Sequence, residues 1–344
     1  MPPVAKALDR NLAIEMVRVT EAGAMAAGRV LGWADKELAD QLAVDAMRAA
    51  LDRVEIDGEV VIGEGEKDEA PMLYIGEHVG TGSGPVVDIA VDPIEGTTLV
   101  AQGMPGAVSV MTLAERGTML RSHVAYMEKI AVGPAARGAI DITAPPGENL
   151  RAIAQALGVR PADLTVVVLD RPRHKQLLAD IRATGARLRL IPHGDVLGTI
   201  MAVLDDFRGV DALMGIGGVT EGVVGACATR CLKGDMQGRF WPRDADEERL
   251  LREEGFQPGQ VLGIEDLCRG QDVSLAMTGI SASDLVGGVQ YGPRRIRTHS
   301  LAMRSRSHAL RWIETSHDVE WLRSINRFHA LQDPVSTPVA QDPR

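Results

Sequence analysis

A chain of 344 residues with 45% hydrophobic residues has enough apolar material for one large core or two packed ones, so it is globular. A formal charge of -10 excludes a broad basic field for nucleic acid or an anionic membrane, and 3% aromatic residues leave little for base stacking. Cys227, Cys231 and Cys268, three cysteines in all, are too few for a disulfide scaffold and fit a reducing compartment, so the cytoplasm is the expected location.

The first residues reach charge too early for a signal-peptide core, and no run of about 18 apolar residues offers a membrane span. Across residues 8–31 and 36–54 apolar side chains recur at helical spacing, the second run behind Asp35 as N-cap. A short β-rich run, 59–63, leads into a polar, glycine-containing stretch, and 86–91, 107–113 and 124–132 read as further strands. These elements predict a first domain over 1–160, with helices covering a largely antiparallel sheet, and the acidic residues at its strand ends make it the candidate metal-binding catalytic domain.

The rhythm then changes to strand, polar loop and helix, three times over, with strands at Thr165–Leu169, Arg187–Ile191 and 210–214. This predicts an α/β domain over 161–330 with parallel strands, whose carboxyl ends are where ligands bind in such sheets. Those ends carry Arg171 and Arg173, then His193 and Asp195, then Gly217, Gly218 and Glu221. Cys227 and Cys231 stand four apart on the last of these helices, with no second Cys/His pair, and read as small buried side chains. Residues 244–254 read as a solvated helix, 273–279 and 295–311 as the last strands, and 331–344 as a flexible tail.

The central feature is Val-Asp-Ile-Ala-Val-Asp-Pro-Ile-Glu-Gly-Thr-Thr, residues 87–98. Pro93 cannot continue a central ladder, so a turn is expected after Asp92 that brings Glu95 back beside it. Gly96 permits an unusual backbone angle, and Thr97 can present its hydroxyl near both carboxylates. With the Ile94 carbonyl they form an all-oxygen donor set of the kind that selects Mg²⁺ or Mn²⁺. Glu64, at the end of another strand, can reach the same spot, and carboxylates brought so close repel one another unless cations lie between them.

Long blocks of the chain, 60–66, 68–77, 87–97, 126–129, 215–218 and 221–224, make it similar to the class II fructose-1,6-bisphosphatases, the GlpX-like family of the lithium-sensitive phosphatase superfamily. The resemblance implies an α/β (α+β) fold layered α-β-α-β-α, and metal-assisted hydrolysis of the 1-phosphate of fructose 1,6-bisphosphate in gluconeogenesis. It puts Asp40, Glu64, Asp92, Glu95 and Glu221 on metal-site acids, with the Ile94 carbonyl among the ligands, and Thr97 on the catalytic threonine, aided by Glu64 and Asp92. Glu95, Gly96, Thr97, Tyr126, Arg171, Arg173, His193, Asp195, Gly217 and Gly218 fall on substrate contacts. Two positions depart from the pattern: Arg171 stands where many relatives carry lysine, and His193 where many carry an acid.

The expected partner is a sugar bisphosphate, with no nucleic acid and no membrane, and the expected assembly is a homo-oligomer, a dimer or tetramer. Alternatives are a bifunctional enzyme that also takes sedoheptulose 1,7-bisphosphate, an inositol or nucleotide phosphatase, and a non-catalytic sugar-phosphate sensor.

Overall fold

In the computed structural model, which describes residues 11–63, 73–204 and 209–324, the two periodic N-terminal runs form α1 (Leu12–Ala27) and α2 (Lys36–Leu51). Asp35 starts α2 by accepting the Leu38 amide at 2.9 Å, which satisfies one of the orphan donors of the first turn. The chain continues through β1 (Asp57–Ile62), β2 (His78–Val79), β3 (Val86–Glu95), α3 (Thr97–Gln102) and β4 (Val108–Glu115). It then crosses to a second sheet with β5 (Tyr126–Val132), α4 (Pro146–Leu157), β6 (Thr165–Leu169), α5 (Lys175–Ala183), β7 (Arg187–Ile191) and α6 (Val196–Val203). There it adds β8 (Ala212–Gly218), α7 (Val219–Leu232), β9 (Asp235–Phe240), α8 (Ala245–Glu253) and β10 (Leu262–Gly263). It returns for β11 (Ser274–Gly279), β12 (Gln290–Tyr291), β13 (Arg295–Arg304) and β14 (Ala309–Asp318).

The first sheet runs β12-β13-β11-β4-β3-β1-β2 with β14 beside β13, and among the described residues only its β1–β3 pair is parallel. The second runs β10-β9-β5-β8-β6-β7, and its parallel part is the three strands expected from the repeated rhythm. Residue 160 is not where the sheets divide the chain: β5 belongs to the second sheet, and β11 to β14 return to the first. Pairing decides this, because β4 finds its outer neighbour only in β11. The expected tail, 331–344, lies outside the described residues.

The layers are α1 and α2, the first sheet, α6 and α7, the second sheet, then α4 and α5, so both sheets are covered on both faces. Strands in that position read as near-continuous apolar runs. In β11, Leu275 and Met277 face the middle helices while Ala276 faces α1 and α2. In β6, Val167 joins the middle core while Val166 and Val168 pack towards α4 and α5. Each such side chain contributes about 1.5–3 kcal/mol by leaving water. Cys227, Cys231 and Cys268 are buried in the middle layer as small apolar residues. Among the described residues no helix is long and apolar enough to cross a membrane.

Pro93 does not turn the chain. β3 continues through it to Glu95 by a bulge: Asp92 pairs with Val110 and Glu95 with Val108, so one extra residue is taken up between them. On the other side β1 ends opposite Ala90, so the amide that proline lacks has no ladder to serve.

Candidate active site

A cleft of about 410 Å³ opens where strand ends of the two sheets meet: the end of β3, the carboxyl ends of β6, β7 and β8, and the start of β5. From the first sheet it is lined by Asp92, Ile94, Glu95, Gly96 and Thr97. The second contributes Tyr126, Arg171, Arg173, His193, Gly217, Gly218 and Glu221. Glu64 lies outside the described residues; Gly63, just before it, lines the cleft.

The bulge at Pro93 aims the acids. Asp92 Oδ1 accepts the Ile94 amide at 3.1 Å, which closes the local loop. Glu95 is 3% exposed, and its Oε1 accepts the Val196 amide across the gap between the sheets at 2.8 Å. That approach needs Gly194, where a Cβ would collide with the Glu95 carboxylate. Burial, followed by the charges of Asp92, Glu221 and Asp195, pushes the Glu95 carboxyl well above the usual carboxylate range. Burial also raises Glu221, with Lys129 opposing. Among the described residues no three His, Cys, Asp or Glu side chains form a ready-made cage for one ion. The repulsion felt by Glu95 nevertheless marks acids that converge, and an all-oxygen set with this balance fits a hard divalent cation.

Thr97 opens α3 behind Gly96, whose φ of 94° lies in the left-handed region where a Cβ is costly. The Thr97 hydroxyl donates to Asp40 Oδ1 at 3.0 Å and lies 3.3 Å from the Ile94 carbonyl. Asp40 comes from α2 and is raised by burial, with the Thr97 hydrogen bond opposing. Thr97 therefore has a carboxylate beside it, which neighbouring sequence does not reveal because Asp40 is distant along the chain.

At the other end, Arg173 donates to the Ile216 carbonyl from Nε at 3.2 Å and from Nη2 at 2.7 Å, and lies 5.1 Å from the centre of the Tyr126 ring. His174 accepts the Ile216 amide on Nε2 at 2.8 Å and donates from Nδ1 to the Leu169 carbonyl at 2.6 Å, so burial holds it neutral and its pKa low. The two departures from the family pattern touch: Arg171 Nη2 donates to His193 Nδ1 at 3.1 Å. Burial and then Arg171 push His193 below the usual histidine range, in keeping with a neutral ring that accepts.

Asp195 is 3% exposed and does not line the cleft; its Oδ1 accepts from Lys129 Nζ at 2.7 Å beneath the floor. Sequence reasoning missed Lys129, although it closes the quoted block 126–129, and Arg243, which lies 5.7 Å from the Tyr126 ring centre and belongs to no quoted block. Arg243 could have been found only through the pairing of β9 with β5, which carries residues 241–243 back to Tyr126.

A family model described as bacterial fructose-1,6-bisphosphatase, glpX-encoded, matches residues 10–317. Fructose-1,6-bisphosphatase 1 class 2 of Escherichia coli (strain K12) is 46% identical over 310 residues, covering 86% of this chain and 92% of that protein. The fructose-1,6-bisphosphatase class 2 of Shigella flexneri is similar to the same extent, 46% over 310 residues with the same coverage.

Proposed function

Because the chain belongs to the family of bacterial, glpX-encoded fructose-1,6-bisphosphatases, we propose that it hydrolyses the 1-phosphate of D-fructose 1,6-bisphosphate, yielding fructose 6-phosphate and phosphate as a gluconeogenic step in the cytoplasm. The observation that carries this reading is one cleft lined both by acids, with a threonine–aspartate pair beside them, and by two arginines. Such polarity suits a ligand with two phosphates, one to be cut beside a cation and one to be held.

Mg²⁺ or Mn²⁺ would be held by Asp92, Glu95, Glu221, the Ile94 carbonyl and Glu64, with Asp40, expected among these acids, given instead to the Thr97 hydroxyl, and would supply charge neutralisation at the phosphate and leaving oxygen. The chain's own groups do the rest. Asp40 accepts the hydrogen bond of the Thr97 hydroxyl, which leaves Oγ1 to accept one from the water that attacks phosphorus. As the oxygen–phosphorus bond forms, a water proton passes to Thr97 and that of Thr97 to Asp40, while the bond from phosphorus to the C1 oxygen breaks and that oxygen takes up a proton from solvent. Asp40 is suited to this because burial raises its affinity for a proton. Arg171 and Arg173, with Tyr126, hold the 6-phosphate through charge-assisted bonds.

The test is phosphate release from a panel of fructose 1,6-bisphosphate, sedoheptulose 1,7-bisphosphate and inositol monophosphate, with Mg²⁺, Mn²⁺ or EDTA. Fructose 1,6-bisphosphate should be cut, EDTA should abolish release and either cation should restore it. Full activity in chelator would end the metal assignment. A kcat/KM for inositol monophosphate above that for either bisphosphate would end the substrate assignment.

A further inference from the structure

Lys129 is the largest fully buried side chain of the described residues, at 1% exposure, and lysine is almost never buried to that degree without a partner. Along β5, Met127 and Ala131 face the middle helices, and Lys129 shares that face. Its Nζ donates to Asp195 Oδ1 at 2.7 Å and to the Gly218 carbonyl at 3.0 Å, so it ties β5 to the starts of both α6 and α7. The surroundings are built around this ammonium. A Cβ at Gly217 would run into Asp195 and lie 2.9 Å from Nζ, and one at Gly218 would overlap Glu221. Two consecutive glycines thus let the lysine, Asp195 and Glu221 pack against bare backbone.

The charges fall unevenly. Asp92, Glu221 and Asp195 all act on Glu95, and of these acids Asp195 is the one whose carboxylate hydrogen-bonds the lysine, whose charge reaches Glu221 more weakly from a distance. From this geometry we infer that Lys129 is a positioning residue which neutralises Asp195 under the floor, so that Asp92, Glu95 and Glu221 alone present negative charge to the cation. The next residue, Val196, donates to Glu95, so fixing Asp195 also fixes the partner of Glu95. The inference rests on the proposed metal site, and the chain's own charge balance makes it separable from that reading.

Direct Mn²⁺ titration, followed by the free-ion electron paramagnetic signal without substrate, decides it. Lys129→Met leaves Asp195 uncompensated, so Mn²⁺ should bind on the order of tenfold more tightly or in an extra equivalent, since a unit charge a few ångströms from a divalent ion acts strongly in a protein interior. Asp195→Asn leaves the lysine uncompensated and should weaken Mn²⁺ binding by a similar factor. Lys129→Met/Asp195→Asn should return close to the parent affinity. A residue that only supports the fold would lower Tm in the single variants without moving Mn²⁺ affinity in opposite directions. If Lys129→Met does not fold, Asp195→Asn alone decides, and an affinity within twofold of the parent overturns the inference. A parent chain that binds no Mn²⁺ removes the metal reading and this inference with it. A parent that binds with an affinity indifferent to both substitutions removes the inference alone.

Discussion

Thr97 and Asp40 are joined by one 3.0 Å hydrogen bond between α3 and α2, and the chemistry is assigned to that bond. Thr97→Ala should therefore lower kcat by roughly a hundredfold or more while leaving the fold intact, as a lost proton-transfer group does. A kcat within twofold of the parent in steady-state assays would sink the assignment. Arg173 offers the converse test. The contact proposed for it with the far phosphate would be the same in ground and transition states, so Arg173→Ala should raise KM for fructose 1,6-bisphosphate roughly ten- to a hundredfold, kcat changing little. Hydrolysis of fructose 1-phosphate should hardly respond. The sequence made both residues legible as candidates, because each follows a strand. It did not show that Arg173 braces Ile216, or that Asp195 is turned under the floor, because those facts depend on contacts between distant segments.

His174 carries a pH consequence of the same local kind. Its folded pKa lies below the ordinary value of about 6.5, since burial disfavours the cation and its Nε2 is already an acceptor. Below that ordinary value the unfolded chain takes up a proton that the folded chain refuses, so stability falls as pH drops and is regained as it rises. Thermal unfolding between pH 7 and 5 should show that loss, and His174→Asn should flatten the slope; an identical slope would assign it elsewhere.

Among the elements, the bulged end of β3 and the glycine that follows it set the site. Gly96 at φ 94° cannot accept a side chain without strain, and a Cβ there would stand 3.0 Å from Leu99. Gly96→Ala should cost about 1–3 kcal/mol, lower Tm by several degrees, and reduce kcat through a displaced Thr97. Calorimetry and steady-state kinetics on one preparation check both; an unchanged Tm would remove the strain. Periodicity found α1, α2 and the three parallel strands because each is long or repeated. It misread Pro93, since a proline in a run looks like a stop unless the neighbouring ladder is known to end there. It also left out β9, whose Asp235–Phe240 alternates with glycine and polar residues and carries little apolar signal.

For the molecule as a whole, sheet membership cannot be read from chain order. A fragment ending at residue 160 would lack β11 and β13, so β4 would be left as an edge and β5 would have neither β8 nor β9. Such a fragment should show no cooperative melt by circular dichroism, whereas the full chain should. A cooperative transition in the fragment would mean that the first part is self-sufficient.

The late arrival of β11 has a consequence for biosynthesis. β4 is buried almost throughout in the finished fold, and the flank that β11 will occupy stays open while about 160 further residues are made. At ordinary elongation rates that is roughly eight to thirty seconds on the ribosome with an unpaired strand edge. The nascent chain must be shielded over that interval, so its yield should depend on chaperone supply more than the stability of the finished protein would suggest.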